Sequence, residues 1–184
     1  MYDLNCRDSV TKYVTAHLFV ERRLLCKCKE FLMQIKITCY GQILTRYLKE
    51  KDKPRNKRKL ITFVCDKFWN YRTAFNILFY QAAKLVFGIP IKAKKEGLKH
   101  NNNAIERYNG KLKDRLKVMR KGFKSFRGAE SFLNLFHIMN NFVNPHEGLN
   151  GKTPAEAADI YLPLKRKKLL NLIKYVRRNH ITKR

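Results

Sequence analysis

Acidic side chains are few in this chain, and long apolar runs are missing altogether. Only 14 Asp and Glu stand against 41 Lys and Arg in 184 residues, a formal net charge of +27. So one-sided a chain repels itself unless a polyanion neutralises it, which makes nucleic acid the expected partner. Membrane is the rival polyanion. No window reaches the roughly 18 apolar residues that a spanning helix needs, because Lys or Arg interrupts every apolar run. The first residues are polar, so no secretory signal is read there either. The five cysteines, Cys6, Cys26, Cys28, Cys39 and Cys65, are odd in number and confined to the first 65 residues. That excludes a secreted disulfide framework and fits a reducing cytoplasm. Cys26 and Cys28 are too close for the usual zinc pair, and no second Cys/His pair follows, so they read as small thiols in or near a core. A hydrophobic fraction of 45% with 12% aromatics is enough for one folded core.

The order of elements points to an α/β layer domain. Tyr2 to Cys6 and Tyr13 to Val20 read as strands around the polar turn Arg7 to Lys12, a hairpin rich in β-branched and aromatic residues. Leu25, Cys28, Leu32 and Ile35 recur at helical spacing over about Leu24 to Tyr40, with Gly41 near the stop. Lys49 to Lys59 has no apolar residue and surrounds Pro54 with cations, a solvated loop for which plain linker and DNA contact weigh equally. Leu60 to Cys65 reads as a strand buried on both faces, with Asp66 at its C-terminal end. Helices are expected over about Asn70 to Val86, Ala104 to Lys121, Gly128 to Val143 and Leu164 to Arg178, with a short one after Thr153-Pro154. Gly88 to Lys92 reads as an edge strand broken by Pro90, Asn101 to Asn103 as a cap, and Gly122 as a stop. Phe132, Leu135, Phe136, Met139 and Phe142 form the expected buried stripe of the fourth helix, which Asn144-Pro145 ends. The sheet looks one strand short, because the outer edge of the hairpin has no obvious neighbour.

Two carboxylates draw attention. Asp66 ends a strand, and Glu106 lies in the first turn of a helix, where the dipole favours it. Groups so placed can converge on a hard divalent ion, the requirement for phosphoryl transfer on DNA. At 100° per residue, Tyr108, Leu112, Leu116 and Met119 fall within about 60° of Ile105, whereas Glu106, Lys113, Lys117 and Arg120 share one flank. One side can dock on a sheet while the other presents a carboxylate and cations to a phosphate backbone. Asn103 and Tyr108 flank Glu106, but capping and core packing explain them as well as DNA contact does. His100, His137 and His146 are conceivable extra ligands or acid-base groups, but His137, among apolar helix residues, reads rather as a core or rim histidine and His146 as part of a turn, and none of the three is placed in the catalytic set.

The stretch from Asn102 to Arg115, with Glu106 and, seven positions on, Lys113, resembles the final catalytic block of prokaryotic insertion-sequence transposases with an integrase-like core. Gly122-Phe123-Lys124-Ser125 resembles the element that follows it, and Asn144-Pro145-His146 with Gly151 to Ala157 resembles the closing signature. Asp66, in Val64-Cys65-Asp66-Lys67, matches the second catalytic Asp at near the usual spacing from Glu106. The first catalytic Asp of such proteins has no match: Asp8 falls in the hairpin turn, and Asp3 sits in the wrong register.

The resemblance implies an RNase H-like mixed sheet flanked by helices, lacking its first strand, over 1–162, with a basic helical tail over 163–184. It implies a metal-dependent DNA strand-transfer enzyme of the DDE type. Asp66 and Glu106 would bind Mg²⁺ or Mn²⁺, more weakly for want of the third carboxylate, and activity of this chain alone would be impaired. Lys113, Lys117, Arg120, Lys121 and Lys124 are the candidate DNA contacts. Transposon ends and target DNA are the implied partners, together with copies of the chain or a full-length transposase, in the nucleoid of a prokaryotic cytoplasm. The alternative is a non-catalytic DNA-binding protein that modulates a full-length transposase. An RNA-binding module is disfavoured, since the aromatics sit at helical core spacing.

Overall fold

The computed structural model describes residues 1–88, 103–117 and 122–181. By packing, the chain forms two compact units, Met1–Cys6 with Thr15–Arg120, and Arg7–Val14 with Lys121–Arg184. No helix among the described residues is long and apolar enough to cross a membrane.

The first unit begins with strands β1 (Tyr2–Arg7) and β2 (Val14–Val20), which pair with each other. Their short connection cannot make a parallel crossover, so they form the expected antiparallel hairpin. Leu4, Ala16 and Val20 turn into the core, where helix α1 (Leu25–Glu50) contributes Cys28, Phe31, Leu32, Ile35 and Ile43. This helix runs well past Gly41. A glycine in a helix costs roughly 0.5–1 kcal/mol relative to alanine, and burial of Ile43 beyond it more than offsets that. The helix expected to about Tyr40 therefore runs to Glu50, with Gly41 inside it.

Helix α2 (Trp69–Phe79) packs on α1 through Ala74, Phe75, Leu78 and Phe79. The Phe75 and Phe79 rings stack at 4.7 Å, and Phe63 lies 5.5 Å from each. The Lys36 ammonium donates to the carbonyl of Leu78 at 2.9 Å, satisfying an orphan acceptor at the C-terminus of α2. Here the chain departs from the helix expected to Val86. Tyr80 takes φ +40°, and Lys84–Phe87 forms strand β4, parallel to β3 (Thr62–Cys65) with Thr62 opposite Lys84 and Cys65 opposite Phe87. The amides of Lys84 and Gly88 extend the ladder to Ile61 and Cys65. Gly88 is outside any strand, and the rest of the expected edge strand, 89–92, lies outside the described residues.

Two further expectations change. All of Thr62–Cys65 is half-buried rather than buried on both faces, because β4 is the one strand beside β3 among the described residues. Among the described residues the strands pair as two two-stranded sheets, β1-β2 and β3-β4, where one mixed sheet was expected. The content is nonetheless mixed α/β. Helix α3 (Asn103–Lys117) completes the described part of this unit.

The second unit holds the hairpin turn, in which the Asp8 carboxylate accepts from both the amide and hydroxyl of Thr11 at 2.7 Å. Helix α4 (Phe126–Ile138) is capped by Ser125, whose hydroxyl accepts from the Gly128 amide, and continues as a π-turn over Met139–Val143. The buried column is Ala129, Leu133, His137 and Asn141, not the aromatic stripe expected. Leu135 is 53% exposed, while Phe132, Phe136, Met139 and Phe142 are half-buried. The aromatics pack against one another along the unit's flank, Phe132 with Phe123 and Phe136.

After a 3-10 turn (Glu147–Leu149) comes α5 (Pro154–Ala157) with a full capping box. The last helix, α6 (Lys168–Ile181), starts later than Leu164, which is buried ahead of it and accepts from the Asn171 side chain at 2.6 Å.

Candidate carboxylates and basic surface

Asp66 is the first residue beyond β3 and is exposed, with its carbonyl accepting from the Phe68 amide at 2.7 Å as the chain turns into α2. Its surroundings are half-buried and aromatic. The Cys65 thiol is pushed up to about 12, by burial first and by the Asp66 charge second. The Tyr71 phenol is raised too, mainly by burial, with Cys28, Cys65 and Asp66 adding and Arg23 opposing.

Arg23 was not foreseen. Its guanidinium lies 4.8 Å from the centroid of the Tyr2 ring and 4.4 Å from that of Phe68, and its carbonyl accepts from the Asn70 side chain. A planar cation held against two ring faces keeps its charge at little cost in rotamer freedom. It is therefore fixed positive charge close to the strand end that bears Asp66. Only the paired Arg22-Arg23 after a strand hinted at it, and that is a weak signal in so basic a chain.

Glu106 sits in the first turn of α3 and is exposed, as are Lys113 and Lys117. Tyr108, 1% exposed, and Leu112 are buried, and Ile105 and Leu116 are half-buried. The expected division of this helix into an apolar side and a charged flank thus holds wherever it is described. Lys117 pairs with Asp114 at 3.1 Å in full solvent, a contact of little energetic weight. Met119, Arg120 and Lys121 lie outside the described residues, as do His100, Asn101 and Asn102. Lys124 is exposed in the second unit, beside Gly122 at φ +61°.

A second link also escaped the sequence. The Asn5 side-chain amide donates to the Asn109 side chain at 3.0 Å and to Asp3 at 3.2 Å, tying β1 to the helix that carries Glu106. Asp3, only 9% exposed, also lies 3.7 Å from the His17 imidazole. Its carboxylate is engaged with its own hairpin.

The oxygen donors of Asp66 and Glu106 suit a hard divalent cation, and both are open to solvent. Among the described residues, neither belongs to a group of three or more His, Cys, Asp or Glu with ligand atoms within 4.8 Å of one another. The donor chemistry of each carboxylate fits such an ion.

The closing block is built as a turn and a cap. His146 donates its amide to Lys152 and accepts at its carbonyl from Leu149 and Gly151, the last at φ +77°. This bears out a turn role for His146. The Thr153 hydroxyl accepts from the Glu156 amide while the Glu156 carboxylate accepts from that of Thr153, and Lys168 pairs with Glu156 at 2.6 Å. His137, 3% exposed, is a core residue as expected.

Residues 87–154, from the end of β4 through α3 and α4 to the start of α5, match the family model of an integrase core domain. No curated protein matches the chain.

Proposed function

Taking the integrase-core match over 87–154 as premise, we propose that this chain is a DNA-engaging catalytic core of the insertion-sequence transposase type, RNase H-like over 1–162 with a basic tail beyond. The observation that carries the reading is helix α3. Within the matched segment it buries Tyr108 and Leu112 and leaves Glu106, Lys113 and Lys117 on its exposed flank, a carboxylate beside cations. That is the pairing that phosphoryl transfer on a polyanion requires.

In this reading Asp66 and Glu106 hold a divalent cation, which as a Lewis acid supplies charge stabilisation at the phosphate under attack. Lys113 and Lys117 neutralise adjacent phosphates and set the register of the strand. Arg120, Lys121 and Lys124 are further candidate contacts to phosphate by their place in the sequence, and Arg23 adds a stationary charge near Asp66. Transposon ends and target DNA are the substrates, and a second copy or a longer transposase is the protein partner.

A second reading, a non-catalytic DNA-binding protein that modulates a full-length transposase, is favoured because, among the described residues, neither Asp66 nor Glu106 belongs to a group of three ligating side chains. The test is Mg²⁺- and Mn²⁺-dependent cleavage and strand transfer on DNA with insertion-sequence ends, for wild type and Glu106→Gln. Activity abolished by the substitution supports the catalytic reading. Inactivity with salt-sensitive DNA binding in both proteins supports the second. Absence of DNA binding overturns both.

A further inference from the structure

The segment from the last turn of α1, Lys49-Glu50, to β3 is a built object, which corrects the expectation of a loop from Lys49 onward. Its cations, Lys49, Lys51, Lys53, Arg55, Lys57, Arg58 and Lys59, surround two acids, and one of those, Glu50, is turned inward to 4% exposure. The Glu50 carboxylate accepts from the Lys59 amide at 3.0 Å and the Lys53 ammonium at 3.0 Å, with the Arg46 guanidinium at 3.7 Å. The Lys59 amide first, then Lys53, hold this carboxyl below the usual range. The carbonyls of the loop are taken up as well. Arg58 donates to Lys53 at 2.8 Å and to Lys51 at 2.6 Å, and Arg46 donates to Lys59 at 2.7 Å. Pro54 leads into a 3-10 turn over Arg55–Lys57, closed by the Lys57 amide on the Pro54 carbonyl at 2.9 Å.

A solvated charged linker would expose its acids along with its bases. Here an acid and two guanidinium groups are spent on shape, and Lys49, Lys51, Arg55 and Lys57 are left at the surface. A concavity of about 500 Å³ lined by Gly41, Gln42, Thr45, Arg46 and Lys49 adjoins them on α1. The loop has no apolar side chain to enter a bilayer, which argues for a nucleic-acid backbone over a lipid surface. We infer that the Glu50-braced segment Lys49–Lys59 is a preorganised phosphate-binding element for duplex DNA, separate in the chain from the flank of α3. This rests on the reading of the protein as DNA-engaging.

The experiment is fluorescence anisotropy of the full chain on a labelled 30-base-pair duplex between about 50 and 200 mM salt. Each lost phosphate contact lowers the slope of log K against log salt by about 0.9. Lys51→Ala, Arg55→Ala and Lys57→Ala together should therefore lower it by about 2.7 and weaken binding on the order of 100-fold near 150 mM. Glu50→Gln adds a unit of positive charge, so diffuse attraction alone demands tighter binding. A braced loop demands weaker binding instead, with circular dichroism confirming the fold of each variant. Wild-type slope and affinity in the triple variant, or tighter binding by Glu50→Gln, overturn the inference while the DNA-engaging reading stands. No duplex binding by wild type overturns the reading itself. Loop-dependent binding to phosphatidylserine vesicles with duplex affinity unaltered assigns the surface to lipid and also overturns the inference.

Discussion

Asn141 offers the sharpest test of how the second unit is held. Its side-chain amide accepts from the Val14 amide and donates to the Val14 carbonyl, both at 2.9 Å, so it stands in for a strand neighbour. Both residues are 5% exposed, and water has little access to take its place. Asn141→Ala would strand a backbone donor and acceptor at about 1–3 kcal/mol each, which gives a loss of about 3 kcal/mol once partial relaxation is allowed. For a chain of this length that lowers Tm by about 6–12 °C. Asn140→Ala, which removes only a 3.2 Å contact to Asn141, should cost about 1 kcal/mol or less. Urea unfolding gives the two values, and hydrogen exchange at the Val14 amide reports the bond itself. A loss under about 0.5 kcal/mol in Asn141→Ala, with Val14 still protected, would refute the reasoning.

Two more outcomes follow from the ionisable groups. With its thiol near 12, Cys65 is about 10⁻⁴ thiolate at pH 8. Iodoacetamide should therefore modify exposed Cys26 first in the native protein and reach Cys65 only on unfolding; equal native rates would count against the packing around Asp66. Glu156 is held below the ordinary carboxylate range by Lys168 first and the Thr153 amide next, so its stabilisation is present above the unfolded value near 4.3 and fades as pH falls through the folded one. The urea midpoint of wild type should exceed that of Glu156→Gln at pH 7 and converge with it as pH falls through the lowered folded value, while Thr153→Ala costs about 1 kcal/mol through loss of the cap. A gap that stays constant with pH would show that the carboxylate charge contributes nothing.

What was legible in the sequence was local. The hairpin follows from β-branched runs around a polar turn, and the two sides of α3 follow from spacing alone, with Tyr108 and Leu112 inward and Glu106, Lys113 and Lys117 outward. The border between α2 and β4 was not legible, because Leu85-Val86-Phe87 is an apolar run that fits either period and only pairing with Thr62–Cys65 decides it. In α4 the large aromatics were taken for the core, whereas the column that is buried consists of Ala129, Leu133 and His137. Size misled there, since narrow packing favours small and branched side chains. Arg23 between Tyr2 and Phe68, and Asn5 on Asn109, join residues far apart in sequence that no window can connect. The inward turn of Glu50 was hidden for the opposite reason, since a lone acid among bases reads as a surface ion pair.

The length of α1 has a metric consequence. Its 26 residues span about 39 Å at 1.5 Å each, close to one turn of duplex DNA at about 34–36 Å. Two points that far apart along a duplex present the same groove face and nearly the same phosphate azimuth. The Arg23 corner lies before its start and the Glu50-braced loop at its end, so the helix sets the spacing between these two sets of cations. Inserting or deleting a few residues in its middle would change the phase between those ends as well as their distance, by 100° for every residue.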